Sequence, residues 1–133
     1  MYQPLFAVAL MAFGGSALAH VVVKEVTEFY DVRHSAGITL LDAINSVTPV
    51  RKNGKLFHGY TAWDISWTFR WQMSNAGSCE ITSVTTNLLV TTTLPRLSTS
   101  TQEAATQFNQ FFPALVAHEQ GHRRIALDAA NQV

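Results

Sequence analysis

The sequence predicts an α+β fold, an antiparallel β-sheet with a long hairpin packed against a C-terminal helix, and three patterns carry that expectation. Between positions 60 and 73, Thr61, Trp63, Ile65, Trp67, Phe69, Trp71 and Met73 alternate with Ala62, Asp64, Ser66, Thr68, Arg70 and Gln72, the period-two signature of a strand. Asn75-Ala76-Gly77-Ser78 then turns the chain into a run dense in Thr and Val over 79–94. Further on, Phe108, Phe111, Leu115, His118, His122, Ile125 and Ala129 follow one another by threes and fours, which traces one stripe on a helix.

Taken in order, residues 1–19 read as a leader outside the fold. An apolar stretch over 5–13 is followed by Gly14, Gly15 and Ser16 and then by Ala17-Leu18-Ala19, the order of a secretory signal ending in an A-x-A-like cleavage site. Retention as an uncleaved anchor is the alternative, because no charged residue precedes Lys24. The domain is therefore expected over 20–133. Residues 20–32, rich in Val, Thr, Phe and Tyr, predict a strand. Ser35 offers a cap for a short helix to about Ser46 with Ile38, Leu41 and Ile44 on one face, and Thr48-Pro49 stops it. Asn53-Gly54 between Lys52 and Lys55 is a tight-turn signal.

In the hairpin the odd positions of the first strand are expected to be buried, its three tryptophans included. The second strand changes parity, with Ile81 odd and Val84, Leu88, Val90 and Leu94 even, and a bulge near 82–85 reconciles the two. Ser98, Thr99, Ser100 and Thr101 offer caps to a helix from about Gln102 to about Asn131, which Pro113 is expected to kink or divide.

Composition narrows the function. A chain of 133 residues that is 47 % hydrophobic suits one domain. Nine Lys plus Arg balance nine Asp plus Glu, so nothing draws it electrostatically to nucleic acid. On this ground a small neutral molecule or a polypeptide is the expected partner, which the motif below narrows to a peptide or protein substrate, with membrane contact only if the leader is retained, and the expected location is secreted or periplasmic. Cys79 is the only cysteine; it excludes an internal disulfide and is expected to be a buried, inert thiol.

The chemistry lies in His118-Glu119-Gln120-Gly121-His122. Histidines four apart project from one side of a helix, where both imidazoles can bind one Zn²⁺. Zinc held there would supply an activated water at neutral pH, and Glu119, placed to lean over the metal without ligating it, would serve as general base in hydrolysing an amide. On the stripe traced above, both histidines are expected on the buried face. Gly121 in mid-helix suggests the close approach of another backbone or a substrate. A catalytic zinc wants a third protein ligand. Asp128 has the offset at which metzincins carry theirs, but Ile125 stands where that family turns at Gly, so the helix carries Asp128 away. His58, His34 and Glu103 are candidates by residue type, and His58, at the start of a strand, is the one placed to lie across from the helix. Tyr60, Arg123 and Arg124 could stabilise an oxyanion or contact a substrate, but arginines beside a long helix are expected to form a solvated face and are not counted in the site.

The chain resembles the domain of unknown function 922 family, described as predicted secreted zinc-dependent proteases. The similarity lies in Tyr30-Asp31-Val32, Gly59-Tyr60-Thr61-Ala62-Trp63-Asp64-Ile65-Ser66-Trp67, Cys79-Glu80-Ile81-Thr82-Ser83-Val84, Thr93-Leu94-Pro95 and the run from His118 through Ala130. It implies a zincin-like fold with His118 and His122 as zinc ligands and Glu119 as base. Members of the family usually continue into a further helical segment and a His-containing stretch; nothing after His122 matches that, so a truncated or degenerate member is expected. The competing expectations are a non-catalytic exported metal- or peptide-binding domain and, with the leader retained, an envelope-anchored structural protein.

Overall fold

The computed structural model describes residues 17–132. Of the expected leader, 1–16 lie outside the described residues, and Leu18 and Ala19 already belong to the first strand. The chain forms β1 (Leu18–Arg33), α1 (Leu40–Val47), β2 (Arg51–Lys52), β3 (Lys55–Leu56), β4 (Tyr60–Met73), β5 (Cys79–Thr99) and α2 (Gln102–Ala130).

The main sheet has the order β1-β5-β4. β4 and β5 form the expected antiparallel hairpin, paired from Tyr60 opposite Thr93 to Met73 opposite Cys79. At its tip the Ser74 amide donates to the Ser78 carbonyl at 2.8 Å, and Gly77 supplies the positive φ of 79° that the turn needs. The expected bulge is present. Arg70 pairs with Ser83 and Trp71 with Ile81, leaving Thr82 as the extra residue, and its hydroxyl donates to the Arg70 carbonyl at 3.2 Å. This puts odd Ile81 on the same face as even Val84.

β1, however, runs parallel to β5, from Leu18 opposite Ser83 to Arg33 opposite Thr99. The sheet is therefore mixed, not antiparallel. After β1 the chain crosses through α1 and the small β2–β3 hairpin to the far edge, and β4 then returns β5 between the two edge strands. Alternation identifies a strand but carries no information on its neighbour's direction.

α1 begins later than the Ser35 cap implies. Thr39 is the N-cap, its hydroxyl accepting from the Asp42 amide at 3.0 Å and donating to the Asp42 carboxylate at 2.7 Å, a reciprocal arrangement that Ser35 has no partner to make. The buried face is Leu40, Ala43 and Ile44, while Ile38 and Leu41 are exposed. α2 is capped by Thr101 and runs without division through Pro113.

Two apolar clusters hold the layers together. Val32, Leu40, Ala43, Ile44 and Phe108 join α1, β1 and the first half of α2, with Tyr30, Leu97, Phe111 and Phe112 packed around them. Leu88, Val90, Ala126 and Ala130 join β5 to the end of α2, with Val21, Ile65 and Leu127 alongside.

The odd face of β4 departs from expectation. Thr61 is buried and Ile65 half-buried, but Trp63, Trp67, Phe69, Trp71 and Met73 are all exposed, Trp71 at 63 %. Cover by α2 stops at Ala130, over Leu88 and Val90; Trp67, Phe69, Trp71 and Met73 lie past it, and Trp63, opposite Val90, stands on the edge strand. Cys79, opposite Met73 at that uncovered end, is exposed rather than buried.

Leu88→Ala should lower the free energy of unfolding by about 2–5 kcal/mol, because Leu88 is 1 % exposed beneath α2. Trp71→Ala, despite the larger truncation, should change it by about 1 kcal/mol or less. Urea titrations of the two variants check the contrast, and a large loss at Trp71 would mean that the hairpin's far end is covered.

Candidate functional site

The helical repeat decides which side chain of the motif is buried. On α2 the buried positions are Ala104, Phe108, Glu119, Ala126 and Ala130. Phe108, Glu119 and Ala130 stand eleven residues apart, close to three full turns, so Glu119 lies on the covered line and is 4 % exposed. His118 and His122 both lie to one side of that line, about 100° and about 60° round the helix from Glu119, and are exposed, which reverses the expectation that they occupy the buried face. Ile125, placed on the same expected stripe, is exposed as well.

The two imidazoles converge. Their Nε2 atoms are 3.2 Å apart, with ring centroids 4.8 Å apart and planes at 83°. At that separation one ring can donate its N–H to the other. Both nitrogens can equally turn lone pairs to one cation at roughly 2.0–2.1 Å, the usual imidazole–zinc distance.

Glu119 is held from the sheet. Thr61 Oγ1, at the start of β4, donates to Glu119 Oε2 at 2.7 Å and also lies 3.3 Å from the Glu119 backbone oxygen. Gly59 makes room for this contact: a Cβ there would stand 2.8 Å from Glu119 Oε1 and 3.0 Å from Leu115 Cδ1. A cavity of about 260 Å³ brings the motif together with these partners, lined by Lys52, Phe57, Gly59, Tyr60, Thr61, His118, Glu119 and His122. A larger cavity, about 640 Å³, opens on the other flank of α2 against β1 and β5 and also reaches Glu119. It contains neither histidine, so the smaller one is where the side chains of His118, Glu119 and His122 come together.

None of the third-ligand candidates is brought to the pair. His58 turns toward α1, its Nε2 2.8 Å from Asn45 Oδ1 and its ring edge-on to Phe111, while its backbone carbonyl accepts from the Tyr30 hydroxyl at 2.7 Å. His34 donates from Nε2 to the Ile38 carbonyl. Glu103 lies in the first turn of α2, and Asp128 is exposed near its end. Among the described residues no group of three or more His, Cys, Asp or Glu side chains is placed to hold a metal. Arg123 reaches Glu25 on β1 in an exposed ion pair. At Gly121 an added Cβ would meet nothing within 4 Å, so no other backbone approaches there.

The sequence reading missed Gly59 and Thr61 as supports of Glu119. The available signal was the glycine just before the strongest strand, a position that often marks close approach.

Comparison with known proteins gives one family, described as bacterial protein of unknown function (DUF922), which matches residues 27–133. No curated protein and no solved structure matches the chain.

The two glycines should respond oppositely to Ala. Gly59→Ala forces its Cβ into the Glu119 carboxylate and should destabilise by about 1–3 kcal/mol, whereas Gly121→Ala fills open space in a helix and should stabilise by up to about 1 kcal/mol. Urea midpoints decide between them.

His58 gives a pH signature. Burial lowers its pKa from the ordinary 6.5, so the folded chain binds fewer protons than the unfolded one between the two values. Its contribution to stability is complete above about pH 6.5 and is lost as pH falls through the lower folded-state value. Between about pH 7.5 and about pH 5 the wild type should lose stability more steeply than His58→Gln, and parallel profiles would refute the assignment.

Proposed function

The chain belongs to the DUF922 family of bacterial proteins, and from that premise we propose that it is an exported, zincin-like, zinc-dependent metallopeptidase that hydrolyses peptide bonds, with His118 and His122 as metal ligands and Glu119 as general base. The observation that carries the proposal is the convergence of two exposed imidazole Nε2 atoms, 3.2 Å apart, on a cavity shared with a buried, hydrogen-bonded carboxylate.

The donor set fits zinc with two imidazoles accessible from one cavity, two of the three protein ligands that a catalytic zinc takes. Bound there, zinc would activate water near neutral pH and polarise a carbonyl.

The chain's own residues divide the remaining work. Thr61 occupies Oε2 of Glu119 and fixes the carboxylate plane, leaving Oε1, on the Gly59 side, to accept a proton within the cavity and deliver it to the leaving amine. Burial keeps this transfer away from bulk water, and the exposed histidines leave the approach open from solvent. The leader-like residues 1–19 support export.

A second reading, a non-catalytic exported domain, draws on the same geometry. With Thr61 satisfying Glu119 and the two rings facing each other, the motif can serve as a metal clip or a packing device without turnover.

Zinc content and peptide hydrolysis separate the readings. Purified wild type should carry stoichiometric zinc and His118→Ala should lose it, while Glu119→Gln should keep zinc and lose hydrolysis by about 10²-fold or more. Zinc in both wild type and Glu119→Gln with no hydrolysis by either would establish the binding domain, and a wild type that takes up no zinc would refute the metal site.

A further inference from the structure

The rim of the cavity carries a charge arrangement that its own fold does not neutralise. β2 and β3 form a tight hairpin whose two turn residues both have positive φ, Asn53 at 50° and Gly54 at 76°, the conformation that matches the twist of two paired strands. This locks Lys52 directly opposite Lys55. Residues opposite each other share a face, and like charges placed so repel.

No acid relieves them. Among the described residues the ion pairs are Arg96 with Asp31 and Arg123 with Glu25, and Glu119, the one acidic side chain lining the cavity, is buried beneath Thr61. Lys52 instead lies over the Tyr60 ring, 4.8 Å from its centroid, and both residues line the cavity beside His118 and His122. The entrance thus carries the ammonium of Lys52 over an aromatic wall, with Lys55 opposite Lys52 on the hairpin but outside the cavity lining, in a chain with no net charge.

We propose that Lys52 and Lys55 select a peptide carboxylate, so that the substrate is an acidic polypeptide whose charged group docks on the β2–β3 hairpin while a neighbouring peptide bond faces His118, Glu119 and His122. The choice of that bond rests on the peptidase reading; the docking itself needs only the hairpin. A carboxylate between the two lysines removes their mutual repulsion, and Lys binds it as a point charge without strict geometry. Side-chain and chain-terminal carboxylates share this chemistry.

The test is binding without turnover, on wild-type protein in EDTA, read by fluorescence anisotropy of three otherwise identical labelled peptides. One is amidated and carries a Glu, one is amidated with Gln in its place, and one has that Gln and a free C-terminal carboxylate. The Glu peptide should bind about three- to tenfold more tightly than its Gln twin at low salt, the preference shrinking as salt is added. Lys52→Gln should abolish it, and Lys52→Arg, which keeps the charge, should retain it. A preference shown by the free-terminus peptide instead assigns the rim to a chain end. Equal binding of all three, no measurable binding, or a preference that survives in Lys52→Gln overturns the proposal. Because EDTA removes any metal, failure here is separate from failure of the zinc and hydrolysis measurements.

Discussion

The contact on which the site depends is the hydrogen bond from Thr61 to Glu119 across the interface of β4 and α2. Moving a carboxylate out of water without partners costs several kcal/mol, and here one hydroxyl at 2.7 Å supplies the bond that makes 4 % exposure tolerable. Once Glu119 points at the sheet, the rotation of α2 about its axis is set. Phe108 and Ala130, about three turns away on either side, must then face the sheet too. His118 and His122 are carried to the flank where Gly59, Tyr60 and Lys52 complete the cavity.

The two apolar clusters reinforce this setting from either end. One gathers α1, β1 and Phe108; the other gathers Leu88, Val90, Ala126 and Ala130. Glu119 sits between them, so a polar contact occupies the middle of an otherwise apolar seam. That placement restrains the carboxylate on both sides without requiring further polar partners, and the small residues Ala126 and Ala130 let the helix lie close to β5. β5, paired on both sides, is the strand that both clusters and the helix share.

Much of the chain was legible because local patterns determine local structure. Alternation from Thr61 to Met73 located β4, the parity change between Ile81 and Val84 located the bulge at Thr82, and the threes and fours after Phe108 located α2. What was not legible depends on partners distant in sequence. The parallel pairing of β1 and the exposure of Trp67, Phe69, Trp71, Met73 and Cys79 follow from where the chain returns and where α2 stops. The histidine face was misassigned because Phe111, Leu115 and Ile125 trace a stripe that competes with the true one through Phe108 and Ala126. Only the Thr61 contact, between residues 58 positions apart, distinguishes the two. The need for glycine at position 59 is equally a long-range matter, since it is Glu119 Oε1 that a Cβ there would meet.

Several local choices near the motif work against stability, and their clustering is itself an argument. Glu119 is a carboxylate buried with a single side-chain donor. Gly121 interrupts a long helix at a cost of about 1 kcal/mol relative to Ala, with no neighbour that needs the space. Lys52 and Lys55 face each other without an acid. Elsewhere Thr39 and Thr101 cap their helices and Gly77 stands where a turn requires positive φ. Where such departures gather beside one cavity, they point to a second constraint there. The shared element is that cavity's contents: two convergent imidazoles, a shielded carboxylate and a cationic rim. The hydrogen bond to Thr61 has a structural role of its own, whereas the convergence of two exposed histidines and the pairing of two lysines are the features that the proposed binding and chemistry would explain.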